Sequence, residues 1–323
     1  MDITARNVNG AYAKAMYALA RFGEEVPTRN GPALRLPWPV VTCYEHPWER
    51  VLFDATRDAN PFFHLYESLW MLDGRNDVEG VARYNKGMRN YSDDGKTFNG
   101  AYGYRWRSWF GFDQIDRVID VLWADPASRR AVISMWDPRA DLDPKAGKDI
   151  PCNLQIKFDI RDGHLNMYVT NRSNDAIWGC YGANSVHMSF LHEYVAAMLG
   201  RPVGRYYQVS LDLHAYVDKF AEVWPGDEDT AKDMYVGRGP VPKLVDDPNT
   251  FRQELKELLM GPAAMLPSTA RNKFLSETAA PMLQAWALRK EKRYADSFAA
   301  ADAIQSWDWR LAALAWIGRR GEP

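Results

Sequence analysis

The chain has 323 residues, 46% of them hydrophobic and 25% charged, the profile of a globular protein able to bury a sizeable core. Its formal net charge of -2 excludes a general nucleic-acid binder, which needs a large positive excess to neutralise phosphates, but leaves room for a local basic site for a small anion. No run of about 18 apolar residues is present to span a membrane, the opening MDITARNVNG holds no apolar core of signal-peptide length, and the expected location is the cytoplasm.

Val8 to Arg21 sets Ala11, Ala15, Met16, Leu19 and Ala20 along one face, and Pro61 to Leu72 repeats that spacing with Phe62, Leu65, Leu69 and Trp70, so both read as helices. From Leu154 the pattern becomes an alternation of Leu154, Ile156, Phe158 and Ile160. It then passes through Asp162-Gly163 into Leu165, Met167 and Val169, which predicts two strands joined by a hairpin turn. Asn184 to Leu199 returns to a helical period with Val186, Phe190, Tyr194 and Met198, and Gly200 and Pro202 supply the stop. Arg205 to Leu213 alternates again and reads as a strand. The stretch from Pro225 to Asn249 is rich in Pro, Gly and charge but keeps Met234, Tyr235 and Leu244, so it reads as an insertion near 225–249 and not as a linker. Beyond Thr250 nearly everything reads as helical, with Trp307, Trp309 and Trp316 as packing residues. The expectation is one domain over 1–323, mixed α and β, with a helical C-terminal extension over 250–323.

Cys43, Cys152 and Cys180 are widely separated and lack the paired spacing of a zinc site or a secreted disulfide framework, so free thiols and no metal are expected. Cys152, in Ile150-Pro151-Cys152-Asn153, falls at a loop-to-strand junction, where catalytic groups often stand on a rigid scaffold. Taken alone, such a cysteine reads as a buried structural residue, because free Cys behaves as a small hydrophobe. Two basic segments shift that reading. Ser128-Arg129-Arg130 leads into a strand, and Asn171-Arg172-Ser173-Asn174-Asp175 directly follows the hairpin. The planar donor fork of arginine matches phosphate oxygens, and serine adds a hydroxyl.

Read in order, the segments resemble the thymidylate synthase family, which includes the pyrimidine nucleotide hydroxymethylases. The matching motifs are Pro27-Thr28-Arg29-Asn30-Gly31, Tyr66-Glu67-Ser68-Leu69-Trp70, Ala101-Tyr102-Gly103-Tyr104-Arg105-Trp106, Ser128-Arg129-Arg130, Pro151-Cys152-Asn153, Arg172-Ser173-Asn174-Asp175, Trp178-Gly179 ahead of Asn184, and Asp212-Leu213-His214-Ala215-Tyr216. The resemblance implies an α+β fold with a central mixed β-sheet flanked by helices, and a homodimer formed sheet to sheet with shared active sites.

The roles it implies are specific. Cys152 attacks C6 of the pyrimidine and makes C5 a carbon nucleophile, dividing one hard substitution into two easier steps. Arg29, Arg172 and Ser173 hold the phosphate, with Arg129 and Arg130 reaching it from the partner subunit. Glu67 organises water and proton transfers at the ring and the folate, Tyr102 helps remove the C5 proton, and Asp175 orients the base and the pterin. His214 and Tyr216, two apart on a strand, share a face and bond the sugar hydroxyl. Asn184 reads the base: a carboxamide offers a donor and an acceptor for O4 and N3–H of uracil, whereas an aspartate suits cytosine better. The implied one-carbon donor is 5,10-methylenetetrahydrofolate.

The pattern also departs from the synthases. Their Gly-x-Pro-Phe-Asn run is here Gly179-Cys180-Tyr181-Gly182-Ala183-Asn184, one residue longer; Asn153 replaces a histidine, and Asn174 stands where cysteine is usual. Val78 to Asn99 has Tyr84 and Tyr91 but not the tryptophan that packs on the cofactor, and the closing C-terminal tail is replaced by an extra helical region. Tryptophan and tail both help keep water out during hydride transfer. The expected activity is therefore 5-hydroxymethylation of dUMP or dCMP, with thymidylate synthesis, CMP-type ribonucleotide hydroxymethylation and a non-catalytic nucleotide-binding role as alternatives. A cysteine hydrolase is disfavoured, because Cys152 precedes a strand instead of opening a helix or neighbouring a histidine base.

Overall fold

Alternation becomes strand at each predicted place. The computed structural model describes residues 1–143, 145, 147–224, 233–261, 266 and 268–320. Among these the strands are β1 (Asp2–Ala5), β2 (Glu24–Val26), β3 (Ala33–Arg35), β4 (Val40–Tyr44), β5 (Val132–Ser134), β6 (Asn153–Arg161), β7 (His164–Asn171), β8 (Asn174–Asp175), β9 (Val203–Ser210) and β10 (Leu213–Tyr216). A six-stranded sheet runs in the order β1-β4-β9-β7-β6-β5, and a smaller one in the order β2-β3-β10-β8. Both are mixed: β1–β4, β7–β9 and β8–β10 are parallel, and the other pairs antiparallel. The mixed sheet was expected; the smaller one, made of strands too short to show a period, was not.

The hairpin β6–β7 turns at Asp162 (φ 50°) and Gly163 (φ 77°), the two consecutive positive φ values that a tight two-residue turn needs to match strand twist. Across the large sheet the register aligns Ile133, Ile156, Val169, Gln208, Thr42 and Ile3 in one row, and all six are buried. The adjacent row, Val132, Lys157, Tyr168, Tyr207 and Cys43, lies on the opposite face. There Val132 is exposed, Lys157, Tyr168 and Tyr207 are half-buried, and the Tyr168 and Tyr207 rings stack with centroids 5.0 Å apart. A one-residue offset thus separates a sealed face from a partly open one.

The helix Val8–Phe22 starts at Asn7, whose side chain accepts from the Asn9 and Gly10 amides, as an N-cap should. Ser185–Met198 is buried from Ser185 through Ala196. It ends where the sequence stops it: Gly200 (φ 60°) donates to Ala197 O and Arg201 to Ala196 O, the paired bonds of a left-handed C-cap.

Contacts divide the chain into two units of two stretches each, Met1–Ala59 with Arg105–Arg238, and Asn60–Tyr104 with Gly239–Pro323. All the strands named above belong to the first. The second holds the helix Pro61–Leu72, buried along its whole length, together with Pro248–Met260, Ala280–Lys290, Tyr294–Asp302 and Trp307–Gly318. Within it Trp316 packs against Phe62 and Trp286, centroids 5.5 and 5.7 Å away. Residues 225–232 of the expected insertion, and 262–265, 267 and 321–323 of the expected extension, lie outside the described residues. No helix is long and apolar enough to cross a membrane among those described.

Candidate functional site

The hairpin's open end carries the first cluster. Asn153 and Asn171 are register partners at the end of the β6–β7 ladder, and one step further out the Arg172 amide donates to Cys152 O at 2.9 Å. Cys152 and Arg172 are thereby held across from one another. The Arg172 guanidinium also grips the loop before the cysteine, donating from Nε to Pro151 O (3.0 Å) and from Nη2 to Ile150 O (3.2 Å), while it lies 5.6 Å from the Trp136 ring centre. Cys152 is half-buried, unlike the buried Cys43 and Cys180. Burial pushes its thiol above the ordinary range, the Arg172 charge pulls against that, and Asp149 and Asp175 add to the rise. These groups make a thiol that is protonated at rest beside a fixed cation.

Past Ser173, β8 is only two residues long. Its Asp175 pairs with His214 of β10, and Asp175 Oδ1 accepts from the amides of Ile177 (2.7 Å) and Trp178 (2.9 Å), capping a helical turn. Burial nevertheless raises the Asp175 carboxyl, and those two amides, His214 and Arg57 offset it only in part. The capped segment, Ala176–Asn184, is a π-helical turn that leads straight into the helix Ser185–Met198. At its end Asn184 Nδ2 donates to Asn174 Oδ1 at 3.1 Å. Trp178 is 52% exposed, and the buried Arg57 lies 4.2 Å under its ring while donating Nε to Ile177 O.

The second cluster lines a cavity of about 180 Å³ on the smaller sheet. Of the expected residues it brings together Arg29, Ser173, His214 and Tyr216. His214 and Tyr216 do share a face, their rings edge to face at 5.7 Å. The cavity adds Thr28, Asn30, Arg35 and Asp212, which carried no expected role. Arg35 is the register partner of His214 and lies 3.7 Å from Asp212 Oδ2, but a three-residue strand carries no periodic signal. Thr28 and Gly31 exchange backbone hydrogen bonds, with Gly31 at φ 114°, a conformation suited to glycine. That turn presents Arg29 and lets Asn30 Nδ2 donate to Tyr216 Oη at 3.2 Å. His214 Nδ1 lies 2.9 Å from Asp212 Oδ1. Burial alone would lower the imidazole, but this bond and the charges of Asp175 and Asp212 outweigh it and raise it; the same bond, with Arg35, holds Asp212 low. The ring is thus oriented as an Nδ1–H donor to Asp212, which leaves Nε2 for a ligand.

Cys152, Arg172, Asp175 and Asn184 do not line this cavity. Arg129 and Arg130 are exposed just ahead of the edge strand β5, away from both clusters. Glu67 and Tyr102 belong to the second unit, where Glu67 is buried on the helix Pro61–Leu72 and Tyr102 is half-buried at the start of the helix Tyr102–Arg107.

The family model for thymidylate synthase matches residues 53–234. The chain is 48% identical to the deoxyuridylate hydroxymethyltransferase of Pseudomonas phage M6 over 98% of its own length and 94% of that protein. It is 42% identical to the enzyme of the same name from Bacillus phage SP01, over 56% of this chain and 50% of that one. A putative thymidylate synthase of Methanothermobacter marburgensis is 37% identical over 68% of this chain and 95% of its own.

Proposed function

The chain belongs to the thymidylate synthase family, and from that premise we propose that it transfers a one-carbon unit from methylenetetrahydrofolate to C5 of dUMP, with water completing the reaction to give the 5-hydroxymethyl nucleotide. The observation that carries this reading is similarity over almost the whole chain, C-terminal helices included, to a phage protein named for that reaction. The local geometry supports the same chemistry, because a half-buried thiol, a fixed guanidinium and a half-buried carboxyl act on one another at the end of β6 and β7.

In this reading Arg29, Ser173 and Arg172 bind the phosphate, and His214 and Tyr216 take the sugar hydroxyl. Cys152 adds to C6 as thiolate, and the electron pair displaced from the C5–C6 bond makes C5 nucleophilic. Glu67 and Tyr102 handle protons, Tyr102 at C5 and Glu67 at the ring and the water. Asn184 reads the base edge.

The donor set also fits a folate. Asp175 spends Oδ1 on two backbone amides and keeps Oδ2 for N–H groups of a heterocycle, and the exposed indole of Trp178 offers a flat face beside it. Asp175 and Trp178 would hold methylenetetrahydrofolate, which would supply the carbon at the oxidation level of formaldehyde. A homodimer formed over the half-open face of the large sheet, at Val132, Tyr168 and Tyr207, would cover the apolar surface left there and bring Arg129 and Arg130 of one copy to the other's phosphate.

The test is to supply dUMP or dCMP with methylenetetrahydrofolate and read the nucleotide mass while following dihydrofolate absorbance. A gain of CH2O without dihydrofolate is expected with dUMP. A methyl gain with dihydrofolate would replace the hydroxymethyl reading by thymidylate synthesis.

A further inference from the structure

Behind Asn184 runs a buried chain of hydrogen bonds that no assigned role requires. Asn184 Nδ2 donates to Asn174 Oδ1 at 3.1 Å, and Asn174 Nδ2 donates to Ser210 Oγ at 3.0 Å. Ser210 Oγ lies 3.7 Å from Cys180 Sγ, and Gln208 Nε2 donates to that sulfur at 3.1 Å. Gln208 Oε1 in turn accepts from Tyr206 Oη at 2.8 Å and Tyr44 Oη at 3.4 Å. Apart from the half-buried Asn184, every member is at most 2% exposed.

Two phenol hydroxyls fix the carbonyl end of Gln208, so its amide faces Cys180 and the sulfur accepts there, while Cys180 Sγ and Ser210 Oγ share a bond in which either can donate. Ser210 Oγ accepts from Asn174 Nδ2, which presents the Asn174 carbonyl to Asn184. Turning the Asn184 amide over would set two carbonyl oxygens against each other. The amide is therefore held with its oxygen and its remaining N–H free, the acceptor-plus-donor set that complements N3–H and O4 of uracil. Cytosine offers an acceptor at N3 and a donor at N4, and needs the two ends exchanged. An amide free to turn would serve both bases.

We propose that Asn174 is a positioning residue that locks the Asn184 carboxamide in the uracil-reading orientation and so sets base selectivity; the inference rests on the assignment of Asn184 to the base edge made above. Gly179 lies against the pair, since a Cβ there would sit 3.3 Å from Asn174 Oδ1 and 3.5 Å from Asn184 Nδ2.

The test compares the parent with Asn174→Leu, which has similar volume and no acceptor, and Asn174→Asp, which keeps one. Calorimetric Kd values for dUMP and dCMP are measured on each, with kcat/KM for both nucleotides and Tm as a check of folding. In the parent the wrong base leaves polar groups unpaired, whereas an unlocked Asn184 amide turns to pair with either base, so the dUMP-to-dCMP preference should fall at least about tenfold in Asn174→Leu and stay within about threefold of the parent in Asn174→Asp. A merely structural role would weaken both nucleotides alike and leave the ratio unchanged, and that result overturns the proposal. Equal loss of the ratio in both variants also overturns it. Should Asn174→Leu not fold, Ser210→Ala, which removes the next link, must lower the ratio in the same direction, and an unchanged ratio there refutes the lock. A parent that binds neither nucleotide would overturn the functional reading and this inference together. A parent that prefers dCMP, with the preference flattened in Asn174→Leu, would keep the lock and overturn only the uracil assignment.

Discussion

Replacing Arg172 by Gln separates its two jobs at Cys152. Its charge opposes the upward push of burial on the thiol, and its Nε and Nη2 tie down the carbonyls of Pro151 and Ile150 at 3.0 and 3.2 Å. Removing a cation that close to a thiol lowers the thiolate fraction about tenfold at any pH well below the thiol's titration. Losing two partly buried, charge-assisted hydrogen bonds costs about 2 kcal/mol of stability. The assay is iodoacetamide labelling of the native protein across a pH series, located by mass spectrometry; Cys43 and Cys180 are buried and serve as internal controls. Arg172→Gln should label Cys152 about tenfold more slowly near neutral pH, with a profile moved to higher pH. Arg172→Lys keeps the charge without the planar fork; it should label within about threefold of the parent rate while losing stability as the glutamine variant does. If Arg172→Gln labels as fast as the parent at every pH, the guanidinium does not act on the thiol and this account of the nucleophile fails.

Asp212→Asn removes the carboxylate that orients and charges His214. Because His214 is raised in the folded chain, its contribution to stability is full below the ordinary histidine range and is lost as pH rises through the folded value. The variant's imidazole should titrate at lower pH by NMR; an unmoved midpoint would show that Asp212 does not set it. Asp141→Ala strips the bidentate partner, at 2.8 Å through both oxygens, from Arg105, which is 1% exposed and also bonded to Met135 O. Breaking a buried ion pair by removing one partner costs about 3–5 kcal/mol, so denaturant unfolding should show a large loss, and a change under about 1 kcal/mol would show that water reaches Arg105. Tyr207→Asp places a charge in the half-open row of the large sheet, where Tyr207 stacks on Tyr168. In sedimentation the parent should run at twice the chain mass of 37.0 kDa and the variant at once that mass; a monomeric parent would end the sheet-to-sheet proposal.

What the sequence made legible and what it did not follow from the range of each signal. Hairpin, caps and stops are local: Asp162-Gly163 needs only its own φ angles, and Gly200 only the turn before it. The order β1-β4-β9-β7-β6-β5 is not local, because it sets strands far apart in sequence side by side. The smaller sheet was invisible for a different reason, since β2, β3 and β8 are two or three residues long. Arg29, Ser173, His214 and Tyr216 were legible through their motifs and do meet in one cavity, whereas Arg35 and Asp212 enter it through strand pairing alone. Ser210, Cys180 and Gln208 read from sequence as ordinary strand and core positions. Their side chains become a connected chain only when β9 lies beside the π-helical turn.

That turn also answers the question left by the one-residue excess between Gly179 and Asn184. An extra residue in an α-helix rotates everything after it by about 100°. The helix Ser185–Met198 cannot accept such a rotation, since it is buried on all sides through Ala196 and ends in a fixed cap at Gly200. Nor can the start of the segment shift, because Asp175 is held by its pairing with β10 and caps the turn through Ile177 and Trp178. With both ends fixed, the excess is taken up between them as a wider π-helical turn, a device found where one residue has been inserted into a helix at a functional site. Tight packing holds the widened turn in place: a Cβ on Gly182 would lie 2.8 Å from Ile177 O and 2.9 Å from Arg57 Nη2. Asn184 therefore stays on Asn174 despite the longer loop, and its amide and the carbonyl that holds it are kept together by the rigidity of the helix that follows.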